Sequence, residues 1–313
     1  MTHQSVTGVR PTPATRKYNF ARRENLYGYL FISPWLIGFF LLTLGPALAS
    51  MALSFTKYNI LRPPQFLGLD NYIYALSKDK LFYPSIIRTF YYAALSVPLG
   101  VLGSMFLAIL LNTGVKGITV FRTLFYVPSL VPIMAAAILF GWLLHPDFGP
   151  INAAIRGLFH VAAPGWFSDR RYALPSLVMM SLWLGVGGTR MIIFLAGLQG
   201  IPQELYEAAS IDGASPWHST RHITIPLLSP TIFFNVILGV IGALQVFTSA
   251  FVTTSGGPAY ATYFIGLHIY YQAFDYLSMG YACTLAWLFA VIIVTLTLVQ
   301  QRFSGKWVFY YGG

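Results

Sequence analysis

Six histidines, one cysteine, nine carboxylates and nineteen basic residues make up the chain's chemically capable side chains. Few of them stand at spacings that build a site. His218 and His222 are the one i, i+4 histidine pair, which puts two imidazoles on one helical face. Further ligands of the right type are missing around them, so the plainer expectation is a polar helix face and no metal. Neither HExxH nor CxxC occurs, and no GxxxxGK followed by Ser or Thr is present. Gly305-Lys306 lacks both the upstream glycine and the following hydroxyl residue, so the chain is not expected to bind and split ATP by itself. Cys283 stands alone in an apolar run, so no intrachain disulfide is expected, and no cofactor is implied.

What remains is Arg190, the one charge inside an apolar run of span length. A charge at that depth is costly and usually faces a cavity or a polar partner. The competing account has its long side chain snorkel to the headgroups. Gly185, Gly187 and Gly188 would loosen the helix beside it, as in broken transporter helices. Gln245, with Asn235 and Thr248 on the same run, is a polar residue deep in another span, and a buried amide in lipid needs partners.

The elements that must position these residues follow from composition. Charged residues are 9% of the 313, against roughly 25% in soluble domains, and apolar residues are 56%. That is a membrane protein, set in a lipid bilayer. The net charge of +10 does not imply nucleic acid, because the basic residues are scattered through loops and a tail with no accompanying motif. Residues 1–25 form a basic tail without a cleavable signal pattern. Six apolar runs suffice to span a bilayer: Gly28–Phe55, Thr89–Leu111, Thr123–Leu144, Leu174–Leu198, Leu227–Val252 and Gly280–Gln301. Pro34 and Pro46 are expected to kink the first run or mark its ends, and Pro128 and Pro132 to fall near the start of the third. Tyr58–Ser85 and His145–Tyr172 read as polar loops, and Thr253–Met279 as a re-entrant or interfacial segment packed against protein. The expected class is an all-α, polytopic protein of six transmembrane helices (26–302) with a short C-terminal tail (303–313). Ten basic residues fall on the side of the termini and eight on the other. Together with the charges close to the first helix, this puts both termini in the cytoplasm.

The longest polar interruption of the second half is residues 202–226. Pro202 suits a first helical turn, with Glu204 and Glu207 at the helix's positive end. Gly213 lets the backbone turn, and Ser215-Pro216 restarts a helix with a hydroxyl cap. Pro226 and Ser229-Pro230 are expected to end that second piece. A helix–turn–helix of this kind reads either as an ordinary amphipathic loop or as a knob that docks into another protein's groove.

Glu207-Ala208-Ala209, then Gly213, then Ile223-Thr224-Ile225-Pro226 resemble the EAA loop of ABC importer permeases, with Ile225 where the family pattern has Leu. Phe66-Leu67-Gly68-Leu69-Asp70-Asn71-Tyr72, Phe121-Arg122-Thr123-Leu124-Phe125, Asn112, Pro146-Asp147-Phe148-Gly149, Leu195-Ala196-Gly197-Leu198-Gln199 and Gly256-Gly257-Pro258 resemble the carbohydrate uptake branch, and within it the MalF-type subunit. The resemblance runs from about Tyr27 to Arg302. It implies a type I ABC importer permease fold and, for residues 202–226, a coupling loop seated in a cleft of an ATPase subunit. Glu207 would make polar contact there, Ala208 and Ala209 allow close approach and Gly213 sets the turn, with Asp212, Ile223 and Pro226 belonging to the same coupling motif.

It also implies that positions of the fourth and fifth spans line a sugar pathway, making Trp183, Gly185, Arg190, Gln245 and Thr248 the candidates. Packing between helices is the other account of them. The implied partners are a second, MalG-type permease subunit, two ABC ATPases and an extracytoplasmic solute-binding protein. The implied function is sugar import without enzymatic activity in this chain. Import of sn-glycerol 3-phosphate, a polyol or a peptide is the alternative within the class. A channel or secondary carrier would need ionisable residues in several spans. A membrane enzyme would need a catalytic cluster, which the sequence does not offer.

Overall fold

The computed structural model describes residues 15–304, 308 and 309, with side chains from residue 24 to residue 303 and at 308 and 309. Arg10 and Lys306 lie outside the described residues. The chain separates into two compact units, Met1–Leu53 and Ser54–Gly313.

In the first unit, helix α1 (Thr15–Gly38) runs through Pro34 into a π-helical stretch, Phe39–Leu44, and on into α2 (Gly45–Ser54). Neither proline ends the run. The wider π turn directly before Gly45-Pro46 makes room for the proline ring and absorbs its missing donor. Glu24–Ser54 is long and apolar enough to cross a bilayer. Phe31, Trp35 and Leu42 on it are all exposed, as expected of a helix whose solvent is lipid.

The second unit opens with a feature the sequence hid. β1 (Thr56–Asn59) and β2 (Arg62–Phe66) form an antiparallel hairpin pairing Thr56 with Phe66 and Lys57 with Gln65, with an irregularity before the Asn59–Arg62 pair. Pro63-Pro64 masked it, since proline is confined to strand edges. α3 (Asp70–Ser77) follows, and α4 (Phe82–Leu111) starts well before the expected Thr89. Ser85 and Thr89 donate their hydroxyls to the carbonyls of Phe82 (2.7 Å) and Ser85 (2.8 Å). These polar residues therefore continue the helix instead of ending it. The polar loop Tyr58–Ser85 is thus a hairpin, a helix and the first turn of α4.

The third span is not one straight helix. α5 (Ile118–Tyr126) and the 3-10 turn Val127–Leu130 meet α6 (Ile133–Leu143) at a 93° bend. Pro128 and Pro132 lie at the middle of this run, contrary to the expected place near its start. Val131 is extended (ψ 125°) because a following proline disfavours the helical region. The loop beyond holds α7 (Pro150–Phe159). Buried Asn152 ties it together, donating to the carbonyls of His145 (3.3 Å) and Pro164 (3.1 Å) and accepting from Trp166 Nε1 (2.7 Å).

The fourth span is also broken. α8 (Ala173–Gly185) and α9 (Thr189–Gln199) meet at 49°. A Cβ on Gly187 would run into the carbonyl of Phe125, and one on Gly188 would lie 2.8 Å from Ser129 Cβ. The glycines therefore admit the kinked third span as well as the bend.

α10 (Gln203–Ile211), α11 (Pro216–Ser219), the π turn Thr220–Thr224 and α12 (Ile225–Leu227) make the polar interruption. The backbone stays helical through Pro226, which does not end this piece as expected. α13 (Ser229–Leu244), a break at Gln245–Phe247 and α14 (Thr248–Thr253) form the fifth span. α15 (Ile265–Tyr270) buries Ile265, Leu267 and His268 and packs on α4. The Ile265 N–H donates to Thr89 Oγ1 at 3.1 Å. α16 (Met279–Ser304) is the last span and also packs on α15.

Among the described residues, four runs are long and apolar enough to cross a membrane as single helices, and six if each bent pair is one span. The core lies where α4 packs on α8, α9 and α13, around buried Tyr92, Val97, Leu177, Met180, Phe194 and Leu228.

Candidate functional site

Helix α10 starts after Pro202, which stands at its N-cap, with Glu204 in the first turn. It ends in a complete Schellman arrangement. The Ala214 N–H donates to the Ala209 carbonyl (2.9 Å) and the Gly213 N–H to that of Ser210 (3.1 Å). Gly213 sits at φ 76°, the left-handed region that glycine enters without a Cβ penalty. Ser215 then caps α11, accepting from the His218 N–H at 3.3 Å. His218 and His222 stack at 4.0 Å on this helix, and His222 Nδ1 lies 3.0 Å from the His218 carbonyl.

Glu207, Ala208, Asp212 and Gly213 are exposed, while Ala209, Ile223 and Pro226 are half-buried. The motif thus splits into a presented face and a face turned to the protein. Sequence spacing missed two neighbours, Ile211 and Trp217, which are 87% and 72% exposed at the tip of the loop. Large apolar side chains so exposed on a polar loop mark an interaction site when they stand together. Their type in a polar stretch was the available signal.

Arg190 occupies the first turn of α9, just past the break. Its guanidinium reaches inward between three helices. A Cβ on Gly239 of α13 would lie 3.5 Å from Nη2, one on Gly185 of α8 4.0 Å from Nη1, and one on Gly100 of α4 would overlap Nη1. Gly100 is eleven residues from the end of α4 at Leu111, roughly 17 Å along the helix. The group therefore lies well away from that helix end and does not snorkel. It lines a cavity of about 170 Å³ with Tyr92, Ser96, Ser181, Gly185 and Gly242. The other proposed pathway residues are not brought to this cavity. Trp183 is exposed and meets Phe140 edge-on at 5.4 Å. Gln245 is exposed in the break after α13, correcting the expectation of a buried amide, and Thr248 begins α14. Asn235 is the buried amide, donating to the Thr231 carbonyl at 2.9 Å.

Beyond the opposite end of α16, the tail returns to α13, where the Phe309 N–H donates to Ser229 Oγ at 2.7 Å. At the starting end of α16, sequence reasoning missed a further cluster. Asp79 Oδ2 accepts from His268 Nε2 (2.7 Å) and from the Tyr281 hydroxyl (2.5 Å), and Oδ1 accepts from the Leu81 N–H (2.8 Å). Burial pushes the Asp79 carboxyl up, but the hydrogen bonds from Tyr281, Leu81 and His268 outweigh it and hold it below its ordinary value. An ionised Asp79 only accepts, so Nε2 carries the proton. The cluster borders a cavity of about 970 Å³ that also meets Asn71 and Gln272.

Spanning and broken helices with a presented helix–turn–helix mark a polytopic membrane protein. The chain belongs to the family described as binding-protein-dependent transport system inner membrane component, which matches residues 82–307. It is 38% identical over 302 residues to the probable ABC transporter permease protein YesP of Bacillus subtilis, covering 95% of this chain and 96% of that protein. It is 30% identical over 292 residues to the lactose transport system permease protein LacF of Rhizobium radiobacter, covering 91% and 96%. Its fold matches a solved bacterial ABC transporter involved in import of the acidic polysaccharide alginate. That match has a TM-score of 0.81 at 22% identity, over 93% of this chain and 99% of that one.

Proposed function

We propose that this chain is a membrane-spanning permease subunit that passes a sugar inward after delivery by an extracytoplasmic binding protein. Partner ATPases hydrolyse the ATP. A second, similar permease subunit completes the pathway, and both termini, residues 1–25 and 303–313, face the cytoplasm. The observation that carries this reading is the loop 202–226, a capped knob with Glu207 and Ala208 presented beside exposed Ile211 and Trp217. Such a knob fits a groove on another protein. Closure of the ATPases would move it, and through α9 and α13 the helices that it joins. Broken helices such as α8–α9 suit a gate that rocks around a mid-membrane site. The name of the lactose relative favours a sugar over glycerol phosphate, a polyol or a peptide.

The test is uptake by proteoliposomes holding the assembled complex, with its binding protein outside and ATP inside, against a panel of radiolabelled sugars, glycerol phosphate and peptides. Saturable, ATP-dependent uptake of a saccharide is expected. Uptake of none of the sugars, with uptake of another solute, would overturn the substrate class.

A further inference from the structure

Within the six apolar runs that the helices define, the chain has one acidic residue, Glu24 at the first position of the first run. The other eight lie in loops. Arg190 accordingly has no carboxylate of the neighbouring helices to face, and among the described residues its side chain makes no ion pair or hydrogen bond. A guanidinium offers five N–H donors and no acceptor, and leaving such a charge uncompensated in a low-dielectric interior is expensive. Yet the fold makes room for it, since Gly100 on α4 leaves open the space that a Cβ would take from Nη1.

A second donor faces the same cavity. Ser96, on α4, is 7% exposed and its Oγ is buried without a partner. Ser181 differs, because its hydroxyl already donates to the Val178 carbonyl at 2.8 Å. A cation and a free hydroxyl on a cavity with no acidic side chain are complementary to an anion, and Arg suits a planar carboxylate. The cavity of about 170 Å³ suits such a group with its neighbouring carbons rather than a whole oligosaccharide.

We infer that this cavity is an anion site, and that it takes the carboxylate of a uronic acid sugar during its passage. This rests on the reading of the chain as a sugar permease. Ser96 would donate to one carboxylate oxygen and Arg190 to both. Selection for an acidic sugar would then be built into the permease, independently of the binding protein.

The experiment compares uptake of glucuronate and galacturonate, and of disaccharides containing them, with glucose, galactose and their disaccharides. It uses the assembled complex carrying wild-type chain, Arg190→Lys, Arg190→Gln or Ser96→Ala. Losing charge-assisted hydrogen bonds corresponds to roughly tenfold to a hundredfold in binding. Uronate uptake is therefore expected to fall by about that factor in Arg190→Gln, less in Arg190→Lys, and severalfold in Ser96→Ala. Equal uronate uptake by wild type and Arg190→Gln would overturn the anion site and leave the sugar-permease reading intact. Uptake of neither neutral nor acidic sugars by wild type would instead sink that reading. Acetate or chloride raising the thermal stability of wild type but not of Arg190→Gln, with uronate uptake unchanged in all variants, would assign the cavity to a free small anion and contradict the sugar acid. If Arg190→Gln fails to assemble with the second permease subunit, Ser96→Ala decides. Normal uronate uptake by it would give the counter-charge to the partner subunit and overturn the inference, and reduced uptake would support it.

Discussion

The hydroxyls of Tyr206 and Thr224 lie 2.9 Å apart, joining α10 to the buried return of the loop across eighteen residues. Thr224 is 4% exposed, so the bond anchors the knob's base in the protein interior. The loop is thereby tied at its base, with its exposed tip at Ile211 and Trp217.

Tyr206→Phe removes one of the two hydroxyls and leaves the other buried. The expected cost is about 1 kcal/mol, read as a lower thermal midpoint of the purified complex. Fewer sugars should move per ATP hydrolysed, because the knob's base is loosened while its docking face is unchanged.

Ile211→Asp places a charge on the most exposed large apolar side chain of the loop. If that tip is buried against an ATPase, affinity for the ATPase should fall by roughly tenfold or more with the thermal midpoint of the isolated chain unchanged. Co-purification of the ATPase at a series of concentrations measures this.

Asp79 gives a pH dependence with a defined sign. Its folded value is depressed below the ordinary 3.8, so its contribution is fully present above that value and is lost as pH falls through the lower, folded one. Acidification from neutral towards about pH 3 should lower the thermal midpoint of wild type more than that of Asp79→Asn. At neutral pH the variant should be less stable by about 2 kcal/mol, since His268 and Tyr281 lose their charged acceptor.

Two glycines of the fourth span should respond in opposite ways. Gly187→Ala drives a methyl into the Phe125 carbonyl, whereas a Cβ on Gly185 comes no nearer than 4.0 Å to Arg190. Gly187→Ala should destabilise by about 2 kcal/mol or more, and Gly185→Ala should be nearly neutral. Thermal unfolding in detergent distinguishes them.

The class of fold was legible because apolar length and the scarcity of charge report spans directly, and the loop was legible because Gly213 and Ser215 carry local backbone chemistry. The broken third span was not, because hydropathy is blind to direction. Ile118 to Leu143 is largely apolar whether straight or bent, and Pro128 and Pro132 read as near a helix start only if the run begins at Thr123 and not at Ile118. The hairpin was hidden by Pro63-Pro64. Gln245 reads as buried from its place in an apolar run, yet it falls in a helix break and is exposed. The Asp79–His268 pair spans 189 residues, and no spacing rule reaches that far.

Loop 202–226 is proposed to transmit ATP-driven closure to the membrane helices, a role that depends on the turn at Gly213. Its φ of 76° strains β-branched residues, while a Cβ there would meet no atom within 4 Å, so a substitution acts within this chain through the turn. The measurement is sugar uptake per ATP hydrolysed in proteoliposomes for wild type, Gly213→Asn and Gly213→Val. Asparagine tolerates the left-handed region and should keep coupling near wild type. Valine should assemble but lose most uptake per ATP. Equal coupling by all three would rule out transmission through this turn.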